Sequence, residues 1–153
     1  MTIKEKIVSI WTHVVAVFRI DDLRIQSNDI SLEDETKELL VRFDEIFGKE
    51  CLWESSSEIW SDCEENPEKY LPCGSEGTLH KVVYINPDRS DITAYVVTVY
   101  GDLRDYEELD PVLEWFKQCC NNKYLAIRQA CIMATNGLET KTLVTQWGEI
   151  KNE

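Results

Sequence analysis

The sequence holds few of the residues that most often carry chemistry. Only two histidines, His13 and His80, occur in 153 residues, so imidazole acid–base or metal chemistry has few places to reside. Sixteen Lys and Arg stand against 29 Asp and Glu, a formal net charge of −13. Phosphate backbones are bound through cations that release counterions, so direct nucleic-acid binding is not expected of this balance. No apolar run approaches the roughly 20 residues of a bilayer-spanning helix, and no membrane partner is expected. The start, Met1-Thr2-Ile3-Lys4-Glu5-Lys6, carries charges where a signal peptide is apolar, and no small-residue cleavage site follows. A cytoplasmic location is therefore expected. The six glycines and four prolines form no flexible linker, and no repeat is visible, so residues 1–153 read as a single domain. Gly74-Ser75-Glu76-Gly77 is no phosphate cradle, because no Lys-Ser/Thr follows and the next element is a strand.

Six cysteines are present: Cys51, Cys63, Cys73, Cys119, Cys120 and Cys131. Without a secretory signal, reduced thiols are the expected state. Cys119, Cys120 and Cys131 fall on apolar patterns and read as small buried hydrophobes. Cys51, Cys63, Cys73 and His80 could together supply four zinc ligands. Their spacings contain no close Cys-x₂₋₄-Cys pair, which structural zinc sites typically show, so ordinary thiols, no metal and no cofactor are expected.

What is abundant is apolar periodicity. From Lys6 to Ile20 the chain is dense in Val, Ile, Trp and Phe, and Ile10, Thr12, Val14, Ala16, Phe18 and Ile20 alternate with Trp11, His13, Val15, Val17 and Arg19, a long strand whose middle reads as buried on both faces. Ser31 opens a helix as its N-cap, Glu33, Asp34 and Glu35 suit its positive end, and Gly48 stops it. Its stripe is Leu32, Thr36, Leu39, Leu40, Phe43, Ile46 and Phe47. Residues 49–79 form the least regular part and read as a long connection with one short strand or helical turn. His80–Asn86 and Asp91–Tyr100 are strands about a Pro87 turn. Asp110 as N-cap and Pro111 at the first helical position start a second helix. Asn121-Asn122 closes it. Tyr124–Ala134 and Leu138–Trp147 are strands joined through Asn136-Gly137, a pair that calls for a two-residue type I′ turn. The fold class is therefore α+β: a two-layer, ferredoxin-like β-α-β-β-α-β arrangement with a long insertion after the first helix and an extra C-terminal hairpin strand. One sheet face takes the helices. The other is left for use, for the insertion, or for a second copy of the chain, with His13 and Trp11, or Arg128 and Tyr124, as its candidate residues.

Catalysis finds little support. Some phosphodiesterases built on ferredoxin-like lobes use paired His-x-Thr/Ser motifs, but Val14-Val15 follows His13 and Lys81-Val82 follows His80. A Cys73–His80 nucleophile pair has nothing to activate the thiol. The acids Asp102, Asp105, Glu107, Glu108 and Asp110 do not match a calcium loop. No catalytic residue is assigned, and an enzyme is not expected.

The acidity is concentrated. Residues 29–69 hold fourteen Asp and Glu against four Lys and Arg, and residues 101–114 hold six acids against Arg104. Within the first lobe, Trp53 and Trp60 lie among Glu54, Glu58, Asp62, Glu64 and Glu65, and aromatic anchors rimmed by charge are a common form of protein contact surface. These seven residues are the expected partner-binding set. The expectation is a small acidic protein-binding module or inhibitor that engages a basic, nucleic-acid-binding protein surface. In size and acidity it is similar to small immunity proteins and phage-encoded inhibitors. A ligand-binding domain responsive to a metabolite or metal is the alternative, a small hydrolase a weaker one, and a homodimer is compatible with all three.

Overall fold

The structure is a computed structural model that describes residues 10–21, 41–52, 57–85, 93–104 and 108–151. Strand β1, Trp11–Asp21, is a run of β-branched and aromatic residues with strict two-residue alternation. Thr12, Val14, Ala16, Phe18 and Ile20 are buried, whereas His13 and Val15 are exposed. Burial of its middle on both faces is therefore corrected to burial on one face, because the helices cover only that side. Helix α1 is seen through residues 41–47; residues 31–40 lie outside the described residues. Helix α2, Ser57–Glu65, and a 3-10 turn, Pro67–Lys69, follow. Strands β2, Leu79–Ile85, and β3, Thr93–Arg104, precede helix α3, Asp110–Cys120. Strands β4, Ala126–Thr135, β5, Thr140–Gln146, and the short β6, Glu149–Ile150, follow among the described residues. The result is a mixed α+β fold with one six-stranded sheet in the order β2-β3-β1-β4-β5-β6, every neighbouring pair antiparallel.

Phe18, at the centre of β1, ties the helices to the sheet. Its ring centroid lies 4.8 Å from Phe47 of α1, and 5.3 Å from Phe116 and 6.0 Å from Trp115 of α3. Tyr95 of β3 meets Phe43 of α1 at 5.4 Å. Phe43 and Phe47, one turn apart, thus face the same side of the sheet as Val112 and Phe116, as their i, i+4 spacing requires. The Trp115 indole N–H donates to the Phe47 carbonyl at 2.8 Å, which satisfies one of the carbonyls left open at the end of α1.

Three local expectations are corrected. Asp110 is not the N-cap of α3: Leu109 holds that position without a side-chain cap, and Pro111 lies in the first turn. The Asp110 carboxylate instead accepts a hydrogen bond from Lys141 Nζ at 2.9 Å, joining α3 to β5. The β4–β5 turn is a four-residue loop, because β4 ends at Thr135 and pairs there with Thr140. Its Gly137 has positive φ, but Asn136 does not, whereas a type I′ turn needs both. The buried Asn136 side chain accepts the N–H groups of Leu138 and Glu139 at 3.0 and 2.9 Å, an Asx arrangement that competes with the tighter turn. Cys119 and Cys120 are buried as expected, but Cys131 is exposed, since it shares the outward parity of Val17 and Val144.

Candidate functional site

The segment between α1 and β2 is a built structure rather than an irregular connection. Gly48 ends α1 with φ of 101° and donates to the Asp44 carbonyl at 3.0 Å. Lys49 then pairs in parallel with Tyr70, through Lys49 N–H to Lys69 O and Leu71 N–H to Lys49 O, both 2.9 Å. Leu71 enters the core. Lys81 of β2 reaches back, its ammonium 2.5 Å from Asp44 and 2.8 Å from the Gly48 carbonyl. Its backbone N–H donates to Glu50 at 2.8 Å. The segment rejoins the sheet where Ser75 N–H bonds Arg104 O at 3.2 Å and Arg104 N–H bonds Glu76 O at 3.0 Å. A shallow cleft of about 240 Å3 opens between Trp60, Glu64, Pro67, Tyr70, Pro72 and Gly74.

Helix α2, nine residues long, exceeds the one short strand or helical turn expected of residues 49–79, although its signals exist. Ile59, Trp60 and Cys63 have one-turn spacing, Glu58 sits in the first turn, and Asn66-Pro67 disfavours continuation. Nine residues with so short a stripe are a weak signal for a helix. None of its residues is buried. Four of the seven sequence-predicted contact residues, Glu58, Trp60, Glu64 and Glu65, are exposed there. Trp60 and Glu64, four apart, both line the cleft. Asp62 does not belong with them. Its carboxylate accepts hydrogen bonds from the Tyr70 hydroxyl and from Asn66 Nδ2, the latter at 2.9 Å. The Tyr70 hydrogen bond first, then that of Asn66, holds the Asp62 carboxyl below its ordinary range, while Asp62 in turn raises Tyr70. Trp53 and Glu54 lie outside the described residues.

Beneath α2, Cys51, Cys63 and Cys73 bring their sulfur atoms to within 4.8 Å of one another. The expectation of ordinary reduced thiols does not foresee this convergence, in which Cys51 and Cys63 touch. Cys51 and Cys63 are in disulfide contact, with Cα atoms 7.0 Å apart. The Cys73 sulfur lies 3.6 Å from Cys63 and donates to the Leu71 carbonyl at 3.3 Å. Burial pushes the Cys73 thiol up to about 11. His80, the fourth zinc candidate in the sequence, is not in this cluster. It packs on Tyr100, with Nδ1 3.8 Å from Glu50.

The sheet face away from the helices is open among the described residues. Val15, Val82, Tyr84, Tyr100, Met133 and Val144 are exposed on it, so the described part of the insertion does not cover it. His13 belongs to this face and its Nδ1 lies 2.5 Å from Asp102, both side chains 58% exposed. An imidazole–carboxylate pair so open to water lacks the desolvation that tunes catalytic pairs. Arg128 sits where the β1–β4 register slips beside Arg19, 3.6 Å from Asp21 and over the Trp147 ring. Tyr124 lies under Arg42 of α1.

No helix among the described residues is long and apolar enough to cross a membrane. No protein-family model, curated protein or solved structure matches the chain.

Proposed function

We propose that the chain is a small protein-binding module without catalytic activity, and that helix α2 is the element with which it engages a basic protein surface and blocks it as an inhibitor would. The observation that carries this reading is a helix that buries none of its own residues yet exposes Glu58, Glu64 and Glu65, with Trp60 and Glu64 lining a cleft. Helices that contribute nothing to a core are retained for another reason, and an aromatic side chain beside an apolar cleft with an acidic rim suits a contact surface. A field of one sign also accelerates encounter with a basic partner by about 10–10³-fold, in a salt-dependent way. The reading includes a cytoplasmic setting and no direct contact with nucleic acid. It also takes the order β2-β3-β1-β4, with α1 after β1 and α3 between β3 and β4, as a ferredoxin-like arrangement extended by β5 and β6; that topology hosts many functions and does not choose among them.

The test is affinity capture from host lysate at low and high salt, comparing the wild type with the triple variant Glu58→Lys, Glu64→Lys, Glu65→Lys. Each reversal changes the formal charge of −13 by two units, and Asp62 is left in place because it has an internal role. Basic proteins held by the wild type at low salt and lost from the variant support the proposal. Equal capture by both proteins, unaffected by salt, refutes it. The open sheet face favours a second reading, a homodimer through that face. Five strands at about 4.8 Å spacing and some 25 Å long present roughly 600 Å2 in plan, near the ~800 Å2 per partner of a standard interface once side-chain relief is included. Light scattering on the free protein decides between monomer and dimer.

A further inference from the structure

We propose that Cys51, Cys63 and Cys73 form a thiolate metal site, of the kind occupied by zinc, that fastens the acidic helix α2 to the body of the fold. The three side chains come from separate pieces of backbone: Cys51 follows the Lys49–Tyr70 bridge, Cys63 lies in α2, and Cys73 pairs with Thr78. Eleven residues separate the first pair and nine the second, so no local knuckle brings them together. The convergence is made by the chain doubling back on itself, and a scan for close cysteine pairs misses it.

Three sulfurs within 4.8 Å of one another, one buried and two half-buried, are more than a disulfide explains. A disulfide joins two sulfurs and gives the third no reason to approach. A cation with soft ligands gathers all three. The 3.6 Å between the Cys63 and Cys73 sulfurs is close to the about 3.8 Å that zinc–sulfur bonds of about 2.3 Å at tetrahedral angles would set, whereas Cys51 and Cys63, in disulfide contact here, would have to part as reduced thiolates to bind the ion. The Cα separation of 7.0 Å between Cys51 and Cys63 lies just beyond the ~4.4–6.8 Å usual for a disulfide. Ligands around a shared ion are under no such limit.

The rest of the segment gives the site a purpose. A nine-residue helix is marginal in water by itself, and α2 buries no side chain that could hold it. Among its ties are the Asp62 hydrogen bonds to Tyr70 and Asn66 and the Cys63 sulfur. A metal at that sulfur would link α2 to the chain after α1, through Cys51, and to the approach to β2, through Cys73. Cys63 and Cys73 line the cleft that also holds Glu64. His80 is not a ligand. This inference concerns how the helix is held and stands whether or not α2 binds a basic partner.

The experiment uses the full chain, expressed in reducing cells with added zinc and purified without chelator. It combines elemental analysis, intact mass under denaturing, non-reducing conditions, and native thiol alkylation mapped by peptide. The expected result is about one zinc per chain, a mass with all six thiols intact, and Cys51, Cys63 and Cys73 alkylated only after chelation. Exposed Cys131 should react throughout, as the internal reference. Chelation should lower the melting temperature, and cobalt(II) added to the stripped protein should produce thiolate charge-transfer absorption. Cys63→Ser should abolish stoichiometric zinc, and the wild-type measurements stand even if that variant does not fold. A zinc-free chain lighter by two hydrogens, with Cys51 and Cys63 in one linked peptide, overturns the proposal. So does a zinc-free chain whose three thiols react as fast as Cys131.

Discussion

Replacing Gly48 with alanine is expected to destabilise the protein by about 2–5 kcal/mol, and the figure has two separable parts. Gly48 has φ of 101°, where an L side chain brings its Cβ against the backbone at about 1–2 kcal/mol. The added Cβ would also lie 2.5 Å from the Leu71 nitrogen and from the Tyr70 carbonyl carbon, both backbone atoms that no rotamer change can move. The two strands of the insertion must then separate, which endangers the Lys49–Lys69 and Leu71–Lys49 hydrogen bonds, each worth about 0.5–1.5 kcal/mol. Gly137 is the matched control. Its φ is 82°, yet nothing lies within 4 Å of a Cβ built there. Gly137→Ala therefore incurs the backbone term alone, about 1–2 kcal/mol; the restriction of the unfolded chain by alanine is common to both variants and cancels in the comparison. With an unfolding entropy of about 2.1 cal/mol/K per residue, the Gly48 variant should melt about 6–16 °C below wild type and the Gly137 variant about 3–6 °C below it. Thermal unfolding followed by circular dichroism measures both. Equal shifts would refute the argument that close approach of the Tyr70–Leu71 backbone, and not φ alone, demands glycine at position 48.

Two further outcomes follow from the core and from the Asp62–Tyr70 pair. Phe18→Ala should lose about 3–5 kcal/mol in chemical denaturation, because a fully buried ring in contact with both helices is removed, and a loss under 1 kcal/mol would mean that the helices do not meet at β1. The Asp62 carboxyl is lowered from its ordinary value of 3.8, so its contribution is present above that value and fades as pH falls through the lower folded one. Tyr70 is raised from 10.0, so its part persists through neutral pH and is lost as pH rises beyond its folded value. In Tyr70→Phe the Asp62 titration, read by carboxyl NMR, should move up toward 3.8, and an unchanged titration would show that the hydroxyl does not hold the carboxylate.

Long, strongly periodic segments were legible. The alternation of β1, the Phe43–Phe47 end of α1, Pro111 at the start of α3, and the β2 and β4 runs all declare themselves through local features of the chain. Shorter features were not. Helix α2 has too few turns to display a period, and the Asn136-Gly137 pair reads as a tight hairpin until the buried Asn136 carboxamide is seen to accept two N–H groups. Of the candidate contact residues, Glu58, Trp60, Glu64 and Glu65 were readable as a charged aromatic cluster. The withdrawal of Asp62 was not, because Tyr70, eight residues away, takes it up only once the chain has turned through Pro67.

The sequence by itself determined the α+β class, the strands and helices of the body, and the acidity concentrated in residues 29–69, since hydrophobic period and charge are written residue by residue. Which face of the sheet stays open was a tertiary decision: strand parity becomes inside or outside only when α1 and α3 settle on the Phe18 side. The meeting of Cys51, Cys63 and Cys73 was another. Nothing in their spacing draws them together; the parallel pairing of Lys49 with Tyr70 does, by folding the segment so that distant sulfurs share one point in space.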